Sequence, residues 1–316
     1  MKKKNSIQPF PFGEILMSLA LVIFYPSLSA QLLLPTAEAA DNSNYYVKYI
    51  AQFPAKEGDK TAGFLERLGN LILGGASVQL NKPVNIIAYN PASFWVLDQG
   101  NGSLLKNNGG TLSVPKALRK NKTIMSSLVG ITSTGGDGVL FTDSRDNKIY
   151  HLSAGGTVLN VFNTTVSLDQ PTGIACSPVS GEIWVAETGS HRIAVLNRNG
   201  ELVRRIGKRG SAGGEFNFPT FICIDSSGLV YIVDAMNFRI QILDAAGKYI
   251  SSFGKQGHAT GYFARPKGIA VDSRGNIYVA DALLNAVQIF DSEGNFLYYF
   301  GSQGRSAEQF WMPSGM

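Results

Sequence analysis

Residues 266–301 read PKGIAVDSRGNIYVADALLNAVQIFDSEGNFLYYFG. The stretch divides at its turn-forming clusters. GIAVD is a short apolar run, SRGN a turn, IYVAD an alternating run and ALLN a second turn; VQIFD, SEGN and FLYYFG complete the series. Segments this short, rich in β-branched and aromatic residues and joined by Gly- or Asn-containing turns, predict four antiparallel strands linked by hairpins.

The opening of the unit recurs. PTGIAC begins at Pro171, PTFICID at Pro219, PKGIAVD at Pro266 and PSGM at Pro313, spaced by 48, 47 and 47 residues. LVGI at Leu128 and PVNI at Pro83 extend the series backwards with spacings of 43 and 45. Three residues before each start stands a large apolar residue: Leu80, Met125, Leu168, Phe216, Phe263 and Phe310. An acidic residue follows each of the five complete starts by 15 or 16 positions, at Asp98, Asp143, Glu187, Asp234 and Asp281. Three positions before it an aromatic occurs in four copies, at Trp95, Trp184, Tyr231 and Tyr278, with Leu140 in the fifth. A lone four-stranded sheet cannot bury both of its faces, so such units must stack on one another. At about 45 residues and four strands per unit, radial stacking into an all-β propeller is the expected solution.

The segment 171–316 resembles tandem NHL repeats. The stretch quoted above follows that pattern closely, and Asp234, Asn237 and Arg239 in DAMNFRIQI match its D-x-x-N-x-R-I turn. The likeness fades over 83–170, where Gly130 keeps the glycine of the pattern and Asn85 departs from it. The resemblance implies a propeller of four-stranded blades, commonly six. A sixth unit starts at Pro313, three residues before the last residue of the sequence. The expectation is a propeller six-bladed in origin, truncated relative to its family, with the last blade incomplete. YYVKYIAQF at 45–53 is similar to an outer strand and is expected to belong to that same blade. Strand edges beside the gap would recruit other chains, so self-association is expected there. FLERLGNLIL at 64–73 has helical spacing and predicts a short amphipathic helix inserted before the first full blade.

The first residues carry a separate signal. MKKK gives a positive start, 15–25 an apolar run, and Ala37-Glu38-Ala39 a small-x-small cleavage site. Export to a periplasm or the exterior follows, with the leader at 1–39, a strand and helical insert at 40–82, and the propeller at 83–316. No stable membrane span is expected once the leader is cleaved. The formal charge of +5 falls to +4 without that leader's three lysines and two glutamates, too mild and scattered to argue for nucleic acid. Cys176 and Cys223 are the two thiols of the chain, and are read as buried and unpaired.

A carboxylate repeated in every unit, followed three positions later by Asn or Asp in several copies, suits a turn that needs acceptors for its amides. Asp98, Asp143, Glu187, Asp234 and Asp281, with Asn237 and Arg239, are therefore assigned structural roles, as are the turn cations Lys148 and Arg192. Propellers of this class include amidating lyases that hold zinc through histidines and lactonases that hold calcium through axial carboxylates. Here His151 falls on a third strand, His191 in a turn and His258 in a connection, so no two share a position. Metal ligation requires convergence on one ion, and neither a metal, a cofactor nor a catalytic residue is assigned. The cluster Arg204, Arg205, Lys208, Arg209 and the looser Lys116, Arg119, Lys120, Lys122 lack the interleaved aromatics that single-stranded nucleic acids require.

Recognition by surface remains. The connections GKRGSAGGEF, GKQGHATGYF and GSQGRSAEQF are alike, glycine-rich and expected on one face. Their departures from a shared pattern, Arg209, His258, Tyr262, Arg265 and Arg305, are the candidate binding residues. The reading is an exported, non-catalytic binding or scaffold propeller that engages a protein or glycan through its inter-blade loops. The rival is a metal-dependent lyase or hydrolase with its site at the propeller axis.

Overall fold

The computed structural model describes residues 80–90, 93–108, 111–121, 125–136, 138–304, 306 and 308–316. The leader, the 45–53 segment, the helix expected at 64–73 and Arg305 lie outside the described residues. Blade 1 comprises β1 (Pro83–Asn90), β2 (Ser93–Asp98), β3 (Ser103–Asn108) and β4 (Thr111–Ser113), followed by a short helix α1 (Lys116–Asn121). Blade 2 holds β5 (Leu128–Ser133), β6 (Gly138–Asp143), β7 (Lys148–Ser153) and β8 (Leu159–Val161). Blade 3 holds β9 (Pro171–Cys176), β10 (Ile183–Glu187), β11 (Arg192–Leu196) and β12 (Leu202–Ile206). Blade 4 holds β13 (Pro219–Ile224), β14 (Val230–Asp234), β15 (Arg239–Leu243) and β16 (Tyr249–Phe253). Blade 5 holds β17 (Pro266–Val271), β18 (Ile277–Asp281), β19 (Ala286–Phe290) and β20 (Phe296–Phe300). Each blade is an antiparallel meander in chain order.

Packing explains why the second strands read as near-continuous apolar runs. Neighbouring blades cover both faces of β10 and β14, and β18 has blade 4 on one side and Phe310 on the other; every residue of the three strands is buried. The outer strand β12 keeps contact with solvent along most of its length. The two markers found in the sequence turn out to be halves of one contact. Trp184 of blade 3 packs in one cluster with Phe216, which leads into blade 4. Tyr231 of blade 4 meets Phe263, which leads into blade 5, and Trp95 shares a cluster with Met125. Leu140 meets Leu168 and Tyr278 meets Phe310 in the same way. The period is thus imposed by the joint between blades.

The inner strands β1, β5, β9, β13 and β17 stand side by side around the axis. Gly173 shows why the pattern wants glycine there: a Cβ would run into the Thr220 carbonyl and lie 2.7 Å from Phe221 Cα. Where Asn85 replaces glycine, its Nδ2 donates to the Val129 carbonyl at 3.1 Å and so keeps the inter-blade link. Residues 313–316 lie between β17 and β1: the Gly268 amide donates to Ser314 O at 2.8 Å, and the Gly315 amide donates to Val84 O at 2.9 Å.

Candidate binding face

Register places one set of loops together. Pro83 pairs with Asp98, Leu128 with Asp143, Pro171 with Glu187, Pro219 with Asp234 and Pro266 with Asp281. The start of each inner strand and the turn after each second strand therefore share one end of the blade. Ile206 pairs with Ile193 and Phe253 with Ile240, so the inter-blade connections leave from that same end. We call it the turn face. The opposite face holds tight turns closed by Asp225 and Asp272, each also accepting a tyrosine hydroxyl, from Tyr231 and Tyr278.

The five repeat carboxylates are fully buried at the base of the turn face. Asp98 accepts from the amides of Asn81, Lys82 and Asn101 at 2.7–3.0 Å. Asp281 accepts from those of Ala264, Arg265, Leu283 and Leu284. Asp234 takes the Asn217 amide at 2.6 Å, Asn237 Nδ2 at 2.8 Å, Arg239 Nε at 2.8 Å and Gln241 Nε2 at 3.0 Å. Glu187 accepts from the Asp169 amide and ion-pairs with Arg192 and Arg205. Asp143 receives the Arg145 and Asp146 amides of its turn. Asp98, Asp143, Asp234 and Asp281 each tie the lead-in of the blade to its own turn, whereas Glu187 ties its lead-in to Arg192 of the third strand and Arg205 of the fourth.

A second latch sits four residues beyond the carboxylate, where the backbone is left-handed. Asn147, His191 and Asn285 adopt φ of 57°, 54° and 52°. Each side chain accepts an amide from the lead-in to the next blade: Asn147 Oδ1 from Gln170 at 2.8 Å, His191 Nδ1 from Phe218 at 3.0 Å, Asn285 Oδ1 from Met312 at 2.9 Å. His191 therefore does the work of an asparagine. Accepting at Nδ1 places the imidazole proton on Nε2, and the ring meets Phe218 edge-on at 4.3 Å. Burial first, then the Arg209 charge, holds its pKa below the usual histidine value. His151 lies on β7 opposite Asn160, and His258 is exposed in its connection. Among the described residues no group of three or more His, Cys, Asp or Glu is placed to hold a metal ion.

The dense basic cluster is largely neutralised. Arg204 forms a bidentate pair with Glu182 and covers the Trp184 ring at 5.3 Å. Arg205 binds Glu187 and the Ser167 carbonyl, and Lys208 lies 3.3 Å from Glu215. Arg209 alone of the four has a side chain with no ion pair or hydrogen bond among the described residues. The connections themselves are pinned by two buried glutamines that sequence reasoning missed. Gln241 Oε1 accepts the Gly214 amide at 2.9 Å while its Nε2 donates to Glu215 O at 2.6 Å. Gln288 repeats the device, accepting from Gly261 and donating to Tyr262 O. Their shared place in RIQIL and AVQIF was the available signal.

The four candidate binding residues among the described residues do not form one cluster. Arg265 is exposed beside Lys267, Arg209 lies near His191, His258 stands alone, and Tyr262 is half-buried beneath Lys255 Nζ at 4.3 Å. The turn face also carries exposed apolar side chains not anticipated from the sequence: Phe218, Met236, Leu283, Trp311 and Met312. Cys176 and Cys223 are free, and burial pushes the Cys223 thiol up to about 11. Among the described residues no helix is long and apolar enough to cross a membrane.

Comparison with known proteins agrees with this architecture. A family described as a 6-bladed beta-propeller matches residues 226–300, and the NHL repeat family matches residues 168–196. No functionally curated protein matches the chain. Among solved structures, virginiamycin B lyase from Staphylococcus aureus aligns with a TM-score of 0.54 at 19% identity, over 72% of this chain and 75% of that one. A nidogen/laminin complex gives 0.57 at 19% identity, over 76% and 86%. An auxiliary nutrient binding protein from Bacteroides thetaiotaomicron gives 0.59 at 13% identity, over 75% and 64%. At these identities the likeness concerns the fold. The NHL repeat matched at 168–196 and the 6-bladed beta-propeller family matched at 226–300 both agree with the four-stranded antiparallel blades of a β-propeller.

Proposed function

We propose that this protein is an exported, non-catalytic binding propeller that engages a protein or other ligand through its turn face. One observation carries the reading. The groups that chemistry would recruit, five carboxylates and His191, are spent on amides and arginines inside the ring, whereas unpaired cations and apolar side chains lie exposed above them. Exposed Phe218, Trp311 and Met312 supply the apolar area that a recognition surface requires, and Arg209 and Arg265 supply charge at its edge. Export is supported by the leader pattern at 1–39.

The ring is read as having six positions. Residues 313–316 hold the inner-strand place between blades 5 and 1, as their amide links to Gly268 and Val84 support. The structural neighbours include a nidogen/laminin complex, a nutrient binding protein and a lyase. The rival, a metal-dependent lyase or hydrolase, requires a metal centre at the axis. Elemental analysis of the purified full chain after dialysis separates the two: less than a tenth of an equivalent of zinc or calcium, about background, is expected, and one tightly held equivalent of either would overturn the proposal.

A further inference from the structure

The start of the inner strand in blade 5 departs from the others in charge. The position after the blade's opening residue holds Val84, Val129, Thr172, Thr220, Lys267 and, in the 313–316 segment, Ser314. Lys267 is the cation in that ring, and it is shielded from solvent more than its neighbours Arg265 and Lys82, which are exposed. None of these three side chains makes an ion pair or hydrogen bond among the described residues. The nearest repeat carboxylates, Asp98 and Asp281, spend their oxygens on backbone amides, including those of Lys82 and Arg265 themselves. Strand order brings the three together: β17, then 313–316, then β1, each step about 4.8 Å. On the other side of β17, Thr220 presents a buried hydroxyl with no hydrogen-bond partner.

We infer that the rim at Lys267, flanked by Arg265, Lys82 and the Thr220 and Ser314 hydroxyls, is a binding site for an oxyanion carrying two or more negative charges, of the phosphate type. Three uncompensated cations beside the orphaned Thr220 hydroxyl form an environment that a multiply charged acceptor completes: the oxyanion accepts from hydroxyl, ammonium and guanidinium groups at once and offsets the repulsion among the cations. The charge perturbation on Lys267 runs the same way. Burial, then Arg265, then Lys82 hold its ammonium below the usual lysine range, with no carboxylate acting against them. The site shares the turn face with the proposed binding surface and rests on that reading only for the choice of face.

The test uses the full chain, with inorganic phosphate and glucose 6-phosphate as probes and sodium chloride at matched ionic strength as the control. Thermal unfolding is expected to shift upward by about 5–10 °C when a probe is in hundred-fold excess over its Kd. Lys267→Thr, which installs the residue of blade 4, is expected to fold normally and lose at least ten-fold in affinity; Arg265→Gln is expected to weaken binding by a smaller factor. A larger shift with the sugar phosphate assigns the site to an esterified group, and an equal or smaller one to the free ion. Absence of a shift beyond the chloride control, or a full shift retained by Lys267→Thr, would overturn the inference. Either result would leave the metal-content test of the binding reading untouched.

Discussion

Replacing Asp234 with alanine tests whether the repeat carboxylates hold the ring together. The carboxylate is fully buried and accepts from the Asn217 amide, Asn237, Arg239 and Gln241, joining the lead-in of blade 4 to its turn and third strand. Its removal leaves the Arg239 guanidinium, whose side chain is 14% exposed, without its ion-pair partner. Arg239 keeps two carbonyl acceptors, Ala212 O and Glu215 O, so part of its hydrogen bonding survives. Breaking a buried pair from one side costs about 3–5 kcal/mol. For an ordered body of this size that lowers Tm by roughly 6–20 °C. Urea unfolding followed by tryptophan fluorescence gives the free energy. In a double-mutant cycle with Arg239→Met, the double variant should be more stable than additivity predicts by at least about 1.5 kcal/mol. A cost for Asp234→Ala under about 1 kcal/mol, or a gain in stability, would refute the latch and reopen the carboxylates to a chemical role.

Gly173→Ala is expected to destabilise the fold by about 3 kcal/mol or more, because the new Cβ meets backbone of blade 4 rather than a movable side chain; a change below about 0.5 kcal/mol in the same urea titration would contradict the close inner packing. His191→Asn should fold with stability within about 1 kcal/mol of the parent near neutral pH, since Asn147 and Asn285 do the same job. Its pH dependence should change. The histidine's folded pKa lies below its ordinary 6.5, so between the two values the unfolded chain binds more protons, and stability is lost as pH falls below about 6.5. That acid-side loss should be smaller in His191→Asn, and equal slopes in both proteins would count against it. The Cys223 thiol, pushed up to about 11, should react with a thiol reagent at pH 8 far more slowly in the folded than in the urea-unfolded protein; equal rates would show that the inner strand is not closed around it.

Much of the fold was legible because packing imposes it on every unit. The large residue before each start and the aromatic before each carboxylate recur since they are the two sides of one joint, as Trp184 with Phe216 and Tyr231 with Phe263 demonstrate. The turn carboxylates were legible for the same reason. What escaped were departures from the period. Phe221 stands where the pattern calls for glycine, and it packs in a cluster with Val129 of blade 2. No local rule gives that contact. The helix α1 has six residues and no acidic residue in its first turn, so neither length nor capping announced it. The sequence places His191 in a turn, but not its register, which is that of Asn147 and Asn285. The exposed apolar side chains at Met236 and Leu283 gave no signal either, since apolar residues in a turn are ordinarily read as buried.

The claim that the turn face recognises a ligand is tested most directly by capture with the immobilised protein from separated extracellular, envelope and interior fractions of the producing cell. Three forms are compared: parent, Arg209→Glu with Arg265→Glu on the turn face, and Lys248→Glu with Arg274→Glu in the exposed turns of the opposite face. The expected result is a species retained by the parent and the opposite-face variant and reduced at least ten-fold by the turn-face variant. Equal retention by all three, or loss confined to the opposite-face variant, would contradict it.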